Sequence, residues 1–572
     1  MNEIESDYIS PSPTLEETFY ILSKRNAVYR VKLSEKGLCM IKEVNGNVKT
    51  ETIALEDIIG CRCMRSKRFD QKCIWHPTSR KGNLKVVDEN SVDWDESDVS
   101  AYLYIYAYVL KKGKVKSKKR ERIVITLRFR SYDRYEDNMK EAQKWKVTIK
   151  YFMDCALQRC HPLSFYNSEK TSLLGDAKVL FILNPKSGVG KARETFQNKV
   201  VPLLTEGDLN YDLHVTRHAH DARNIVRTQN MWQYIGGIVV IGGDGILYEV
   251  INGLMERPDW ESLFAELKLG VIPCGSGNGL AKSLSYAFSE PYDHCPILVS
   301  TLNVVRGMST PLDLVRVETE NQVLFSFLSI GWGLLSDVDI ESERLRALGA
   351  QRFTMWTIGK LVTLKSHRGT VSYLPIDQES DTPSSTRRRL HFDSEGDVRS
   401  MASEDAGRRD SFYSVGSRKS NYLSAAGSSY ESLAEDAVRT FGPPSRIPPL
   451  DQPVPSDWKV VKGDFVMVHA SYPTHLMTDC IFAPDAKLDD GCIWLCLIKS
   501  GISRTHLFQF LIGMSSGTHT NVSDVIFVPV SAFRIEPETP SSHLTVDGEL
   551  IKHSALQAEI LPAMANVFAR VQ

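Results

Sequence analysis

Ile238-Val239-Val240-Ile241-Gly242-Gly243-Asp244-Gly245 is the stretch on which the rest of the chain turns. Four consecutive branched apolar residues read as a strand buried on both faces, as in a parallel sheet covered by helices. The glycines that follow let a backbone approach a phosphate closely, and the helical pattern over 246–255 offers free N–H groups to anionic charge. An aspartate in such a loop opposes that electrostatics unless it has another task, either to hold Mg²⁺ or to accept a proton from an attacking hydroxyl. A dinucleotide fingerprint would place its third glycine where the chain has Tyr248, which weakens the Rossmann reading.

Two further glycine loops flank this one. Asn184-Pro185-Lys186-Ser187-Gly188-Val189-Gly190-Lys191 follows the apolar run 179–183. It is no Walker A loop, because Pro185 and Ala192 stand where that pattern needs glycine and serine or threonine. Gly275-Ser276-Gly277-Asn278-Gly279 follows Val271-Ile272-Pro273 and precedes a helical stretch. A lone glycine turn is usually only a turn; three, one with a carboxylate, point to a nucleotide cleft. The runs 179–183, 213–216, 238–241 and 269–272 read as parallel strands alternating with helices, an α/β signature.

Outward from this segment, the 572 residues exceed what one core supports, and two or three domains are expected. With 69 basic against 70 acidic side chains the net charge is −1, which argues against whole-protein capture of nucleic acid. Eleven scattered cysteines without framework spacing fit a reducing compartment. No apolar run reaches the ~18 residues of a membrane-spanning helix, and the acidic start Met1-Asn2-Glu3-Ile4-Glu5 has neither the basic region of a signal peptide nor a glycine for myristoylation. A cytoplasmic protein with reversible, peripheral membrane contact is the expectation.

Residues 1–172 alternate in short runs, with Asn45-Gly46 as a hairpin turn between two of them. Strands over 102–110 and 122–130 flank a loop of seven basic residues from Lys111 to Arg120, and a helix over 136–152 buries Ala142, Trp145, Ile149 and Phe152. Strands followed by one helix make the order of a small β-barrel, and it resembles a pleckstrin-homology-like domain. The basic loop suits anionic lipid headgroups, or equally a solvated hairpin tip protected against edge pairing. Cys61, Cys63, Cys73 and His76 lack the spacing of a recognised zinc site. Residues 176–305 form the α/β lobe, and 306–366 with 458–572 form a β-rich lobe. Between them, 367–457 reads as a disordered Ser-, Arg- and Pro-rich insert, with too few apolar residues to offset chain entropy.

The glycine loops, with Asn184-Pro185, resemble the catalytic domain of diacylglycerol-kinase-type lipid kinases. Gly253-Leu254-Met255-Glu256-Arg257-Pro258-Asp259-Trp260, Asp337-Val338-Asp339-Ile340-Glu341-Ser342-Glu343, Leu488-Asp489-Asp490-Gly491, Gly501-Ile502-Ser503-Arg504 and Val546-Asp547-Gly548-Glu549 resemble sphingosine kinases in particular. The resemblance spans roughly 180–366 and 458–572. It implies an α/β nucleotide lobe and an antiparallel β-sandwich lobe with Mg²⁺-ATP bound between them, and phosphorylation of a long-chain base on its primary hydroxyl.

By the same resemblance Asp244 is the general base, with Gly242, Gly243 and Gly245 against the transferring phosphate and lipid headgroup. Asn184, Pro185, Lys186, Thr216, Glu249, Gly275, Ser276, Gly277, Arg346, Arg352 and Asp547 contact the nucleotide. Ser329 lies near the headgroup, and Asp339 binds the protonated amine of the base. No metal ligand is assigned. Read on their own, Asp337 and Asp339 alternate like an acidic strand end exposed to solvent. The stretch 353–362 lines the lipid entrance by the resemblance, or packs as an ordinary helix. Anionic lipid or calmodulin suits the basic stretches. A ceramide or diacylglycerol kinase of the same fold is the alternative, kept open by the N-terminal domain, and a non-catalytic lipid-sensing scaffold is the alternative of another class.

Overall fold

Alternating burial shapes the first two strands of the N-terminal part. The computed structural model describes residues 14–21, 27–44, 47–67, 86–89, 91–112, 118–157, 177–342, 364–376, 442–538, 543–551 and 555–570. Strands β1 (Leu15–Ile21), β2 (Ala27–Ser34), β3 (Gly37–Val44) and β4 (Asn47–Ile53) form an antiparallel sheet, with Val44 opposite Asn47 on either side of the expected turn, which itself lies outside the described residues. Strands β5 (Ile58–Ser66), β6 (Val86–Asp88), β7 (Ala101–Lys112) and β8 (Lys118–Phe129) form a second sheet in the order β6-β5-β7-β8.

Helix α1 (Tyr135–Ala156) packs Met139, Ala142, Trp145, Ile149 and Phe152 into a core shared by both sheets, where Phe19 meets Phe129 and Trp145 edge-on at 5.0 and 5.2 Å. Among the described residues no strand pairing joins the two sheets, so the closed barrel expected from the element order is seen as two small sheets. The chain passes from β4 to β5 through a single 3₁₀ turn, Leu55–Asp57, and the sheets meet through side chains.

The apolar runs of the next segment become β9 (Val179–Leu183), β10 (Tyr211–Val215), β11 (Gly237–Gly242) and β12 (Lys268–Pro273), parallel in the order β10-β9-β11-β12. Helices α2 (Asp221–Thr228), α3 (Asp244–Met255), α4 (Gly279–Ala287) and α5 (Pro296–Arg306) follow the strands. Then come β13 (Ser309–Thr319), β14 (Val323–Ser326), β15 (Ser329–Gly333), helix α6 (Leu334–Ser342), β16 (His367–Pro375) and β17 (Lys459–Ser471). The chain ends with β18 (His475–Met477), β19 (Cys480–Ile481), β20 (Ile493–Lys499), β21 (Val525–Pro537), β22 (Leu544–Val546), β23 (Glu549–Ile551) and β24 (Leu556–Phe568).

The α/β strands and the later β-strands, apart from β18 and β19 which pair with each other, belong to one sheet of 14 strands, because β24 pairs in parallel with β12 on one side and antiparallel with β21 and β13.

Two expectations need correction. The insert does not begin at 367: His367–Pro375 is the strand β16, hydrogen-bonded between β17 and β21, with Val371, Ser372 and Tyr373 buried. The segment from 442 onwards is also held, since proline-rich chain has carbonyls to offer. Buried Arg534 donates to Pro449 and Gln452 carbonyls at 3.1 and 2.6 Å, and Gln557 donates to the Pro448 carbonyl at 3.1 Å. Residues 377–441 lie outside the described residues. Second, Asp337 and Asp339 lie on helix α6, not on a strand end. Asp337 is buried and accepts from His543 Nδ1 at 2.8 Å, a partner the local pattern does not reveal. Among the described residues no helix is long and apolar enough to cross a membrane.

Candidate active site

The three glycine loops leave the carboxyl ends of neighbouring parallel strands, where ligands of open α/β sheets bind. They touch one another. Asn184 N donates to the Ile241 carbonyl at 3.1 Å, while Cys274 N and Gly275 N both donate to the Gly242 carbonyl at 2.8 and 3.1 Å. A side chain at Gly275 would run into the Gly243 backbone, and one at Gly188 (φ +56°) into the Cys274 carbonyl, so glycine is required by close approach. Asn184 Oδ1 accepts the Lys186 N–H at 3.0 Å, which turns the first loop at Pro185 and leaves the Lys186 side chain exposed. Ser276 and Gly277 are half-buried at the rim of the third loop.

Asp244 opens α3 and is buried. Its Oδ2 accepts the Gly279 N–H at 2.9 Å and its Oδ1 the Leu280 N–H at 3.4 Å, so the first turn of α4 points its free donors at the carboxylate. Burial pushes the carboxyl up, and the amides of 278–280 act against that rise. A charged-acceptor geometry with lone pairs to spare suits proton transfer at an incoming hydroxyl. Asn278, at φ +59°, closes the third loop by accepting Gly275 N at 3.0 Å and donating to the Gly275 carbonyl at 2.8 Å. Beside it a pocket of about 290 Å³ is lined by Pro273, Asn278, Tyr292, Asp293, Pro296 and Thr478.

The β22–β23 turn reaches back to this loop. A Cβ placed on Gly245 would lie 3.3 Å from Glu549 Oε1, and one on Gly548 would lie 3.0 Å from Asp339 Oδ2. Asp244, Gly245, Glu549, Gly548 and Asp339 therefore form a continuous path from the phosphate loops to α6. Asp547 has a different setting. Oδ1 accepts Ser326 Oγ at 2.6 Å, Leu328 N at 3.0 Å and Ser329 N at 2.9 Å, and Oδ2 accepts Phe327 N at 3.1 Å. Burial pushes its carboxyl up to about 6 against those four donors. The carboxylate is thus occupied in pinning the β14–β15 connection, a task other than the nucleotide contact implied by resemblance. Ser329, at the start of β15, is buried behind it.

Glu249 likewise serves its own chain, accepting His220 N at 3.1 Å and Arg223 N at 3.4 Å where α2 begins. Thr216, just past β10, donates its hydroxyl to the Leu183 carbonyl at 3.3 Å and so stands at the same strand edge as Asn184. Arg346 and Arg352 lie outside the described residues, as do 353–362, Cys73 and His76. Burial pushes the Cys61 and Cys63 thiols up to about 12 and about 11, which disfavours the thiolates a zinc site needs.

A hard cation such as Mg²⁺ asks for one or two carboxylates beside phosphate oxygens; Asp244, next to Gly245 in the chain, and Glu549, whose Oε1 lies 3.3 Å from where a Gly245 Cβ would stand, offer carboxylates of that kind. A second group, Asp337, Glu341 and His543, keeps its ligand atoms within 4.8 Å of one another, but His543 is already bonded to Asp337. Glu549, Asn278 and Tyr292 were missed as site residues. Glu549 and Asn278 lie within the stretches 546–549 and 275–279, whereas Tyr292 carries no local signal at all.

Comparisons with known proteins cover both lobes. Residues 178–317 match the diacylglycerol kinase catalytic domain, and residues 455–569 match the YegS C-terminal NAD kinase beta sandwich-like domain. The chain is 33% identical over 520 residues to sphingosine kinase 2 of Homo sapiens, covering 78% of each chain. It is 35% identical over 392 residues to sphingosine kinase 1 of Homo sapiens and 34% to that of Rattus norvegicus, covering 67% of this chain and 89% of each relative. With identity at this level over so much of both partners, the chain belongs to the sphingosine kinase family.

Proposed function

We propose that this protein transfers the γ-phosphate of ATP to the primary hydroxyl of a sphingoid base, giving sphingosine 1-phosphate. The observation that carries the reading is the buried Asp244 carboxylate, oriented by the amides of α4 at the meeting point of three glycine loops. An alcohol is a poor nucleophile, and a carboxylate within reach assists as its proton leaves. Backbone of Gly242, Gly243, Gly245, Gly275, Ser276 and Gly277 surrounds the phosphates, with Asn184, Pro185, Lys186 and Thr216 on the nucleotide side. Mg²⁺ arriving with ATP would offset phosphate charge, and Glu549 and Asp244 would be the residues to hold it. Arg346 and Arg352 supply guanidinium forks to the phosphates. Asp339 reads the cationic amine, a group that ceramide and diacylglycerol lack. Ser329 stands on the headgroup side.

The N-terminal part is read as pleckstrin-homology-like, supported by two antiparallel sheets and a following helix around one core. Since the substrate arrives from a bilayer, the protein works as a peripheral membrane protein facing the cytoplasm, with 353–362 at the lipid entrance. Its basic stretches engage anionic lipid or calmodulin.

The test is transfer of labelled γ-phosphate from Mg²⁺-ATP to sphingosine, ceramide and diacylglycerol in matched micelles. Labelling of sphingosine above both neutral lipids is expected. Preference for ceramide would keep the fold and Asp244 but remove Asp339 as amine reader. ATP binding without labelling of any lipid would put a scaffold in place of an enzyme.

A further inference from the structure

Arg120 lies on β8, far along the chain from the phosphate loops, yet its side chain has no exposed surface. Nε and Nη2 grip the two oxygens of Glu290 at 2.9 and 2.5 Å, and Nη1 donates to Asp57 Oδ1 at 2.6 Å and to the Tyr108 carbonyl at 2.8 Å. Burial raises the Glu290 carboxyl, but Arg120 and then Arg570 bring it below its ordinary value. Arg306 completes the cluster from α5, its Nη2 3.6 Å from Asp57 and without a hydrogen-bond partner. A buried ion pair is costly to desolvate and gives little net stability. Its placement therefore calls for another account.

Glu290 is attached to the end of α4. Its N–H donates to the Ser285 carbonyl at 2.8 Å, and Ser289, at φ +53°, donates to Tyr286 at 3.1 Å, so the chain wraps the last turn of the helix. The other end of the same nine-residue helix carries the Gly279 and Leu280 amides that hold Asp244. A helix of that length behaves as a rod of roughly 13 Å, and moving one end moves the other. The Glu290 carbonyl accepts the Tyr292 N–H at 2.9 Å, and Tyr292 lines the pocket beside Asn278.

We propose that Arg120 is a positioning residue for phosphoryl transfer: by clamping Glu290 it fixes the far end of α4, and with it the two amides that orient Asp244. The inference rests on the reading of Asp244 as the base. It gives the N-terminal part a role at the active site without any contact to substrate. Arg570, also on Glu290 at 2.9 Å, keeps that carboxylate paired when Arg120 is replaced.

The experiment uses the full chain with Arg120→Gln, Arg120→Lys and Glu290→Gln, each also in the Asp244→Asn background. Arg120→Gln should lower kcat per active site by about 10- to 100-fold, the size of effect a small misplacement produces. KM for ATP and for sphingosine should stay within about twofold. Arg120→Lys keeps charge but not the fork, and should remain at least about threefold low. In the Asp244→Asn background Arg120→Gln should change the residual rate by less than about twofold. Hydrogen exchange over 279–290 should be roughly 10-fold faster, with β7 and β8 still protected.

A KM change as large as the kcat change, or a loss that adds fully to that of Asp244→Asn, would make Arg120 merely structural and overturn the proposal. Should Arg120→Gln lose protection in β7 and β8, Glu290→Gln decides from the core side by the same readouts. Phosphate transfer by the wild type with unresponsive variants overturns this inference alone. No transfer by the wild type overturns the proposed function, whatever the exchange of α4 shows.

Discussion

Two buried aspartates that accept main-chain amides differ in what is left over. Asp244 receives two amides from α4 and stands among glycines, whereas Asp547 receives four donors from 326–329. Asp244→Asn should therefore cut phosphate transfer by about 10²- to 10⁴-fold and leave ATP binding in place, as judged by calorimetric titration. Asp547→Asn should instead turn an amide N–H toward the Phe327 N–H and destabilise the fold by about 1–3 kcal/mol in urea unfolding. A large loss of transfer at unchanged stability would return Asp547 to the nucleotide. His469 tests burial with no partner at all. Both ring nitrogens are buried without a hydrogen bond, and burial lowers its pKa to about 3. A histidine depressed in the fold contributes stability that is complete above its unfolded value near 6.5 and is lost as pH falls toward 3. Between pH 7.5 and pH 5 that loss is about 2 kcal/mol. His469→Leu should reduce the pH dependence by that amount, and an identical fall in both proteins would remove His469 as its source.

At the scale of elements, legibility follows burial symmetry. The run 238–241 is apolar on both faces and became β11 (Gly237–Gly242) with one residue added at each end. Helix α1 was legible because its apolar residues repeat with the helical period. Asp337-Val338-Asp339-Ile340-Glu341 has a period of two and reads as a strand, yet it forms α6, because Asp337 finds His543 far along the chain. The strand β16 was hidden by polar Arg368 and Thr370 next to a disordered-looking composition. In the site, the glycine loops and Asp244 were legible because their chemistry is local. The meetings of Glu549 with Gly245 and of Asp339 with Gly548 were not, since they depend on how the β22–β23 turn folds back. The contact between loops is itself testable. Gly275→Ala forces the second and third loops apart at the Gly243 backbone and should raise KM for ATP or lower kcat to give a fall in kcat/KM of at least about tenfold. Wild-type kinetics in that variant would show that the loops have room to separate.

For the whole molecule, the N-terminal part and the kinase core are joined by a true interior. Ile59, Tyr106 and Tyr108 belong to one buried cluster with Phe181, Phe196, Val200 and Val305 from the α/β lobe. Polar contacts surround it: Tyr108 Oη donates to Glu206 at 2.8 Å, Arg122 pairs with Glu206 at 2.6 Å and Lys150 with Asp208 at 2.9 Å. Gly60 backs so closely on the Glu206 carbonyl that any side chain would collide with it. The lobes of the core are joined as firmly, through the parallel pairing of β12 with β24. Separate domains linked by flexible chain would unfold separately, but a shared interior couples them. The protein is accordingly expected to unfold in one calorimetric transition. Ile59→Ala, which empties a seam position without touching either domain's own centre, should cost about 2–4 kcal/mol. Hydrogen exchange should report that loss equally in α1 and in β9. Faster exchange confined to α1, with β9 unchanged, would mean that the N-terminal part opens alone and that the seam is a docking contact instead of a common core.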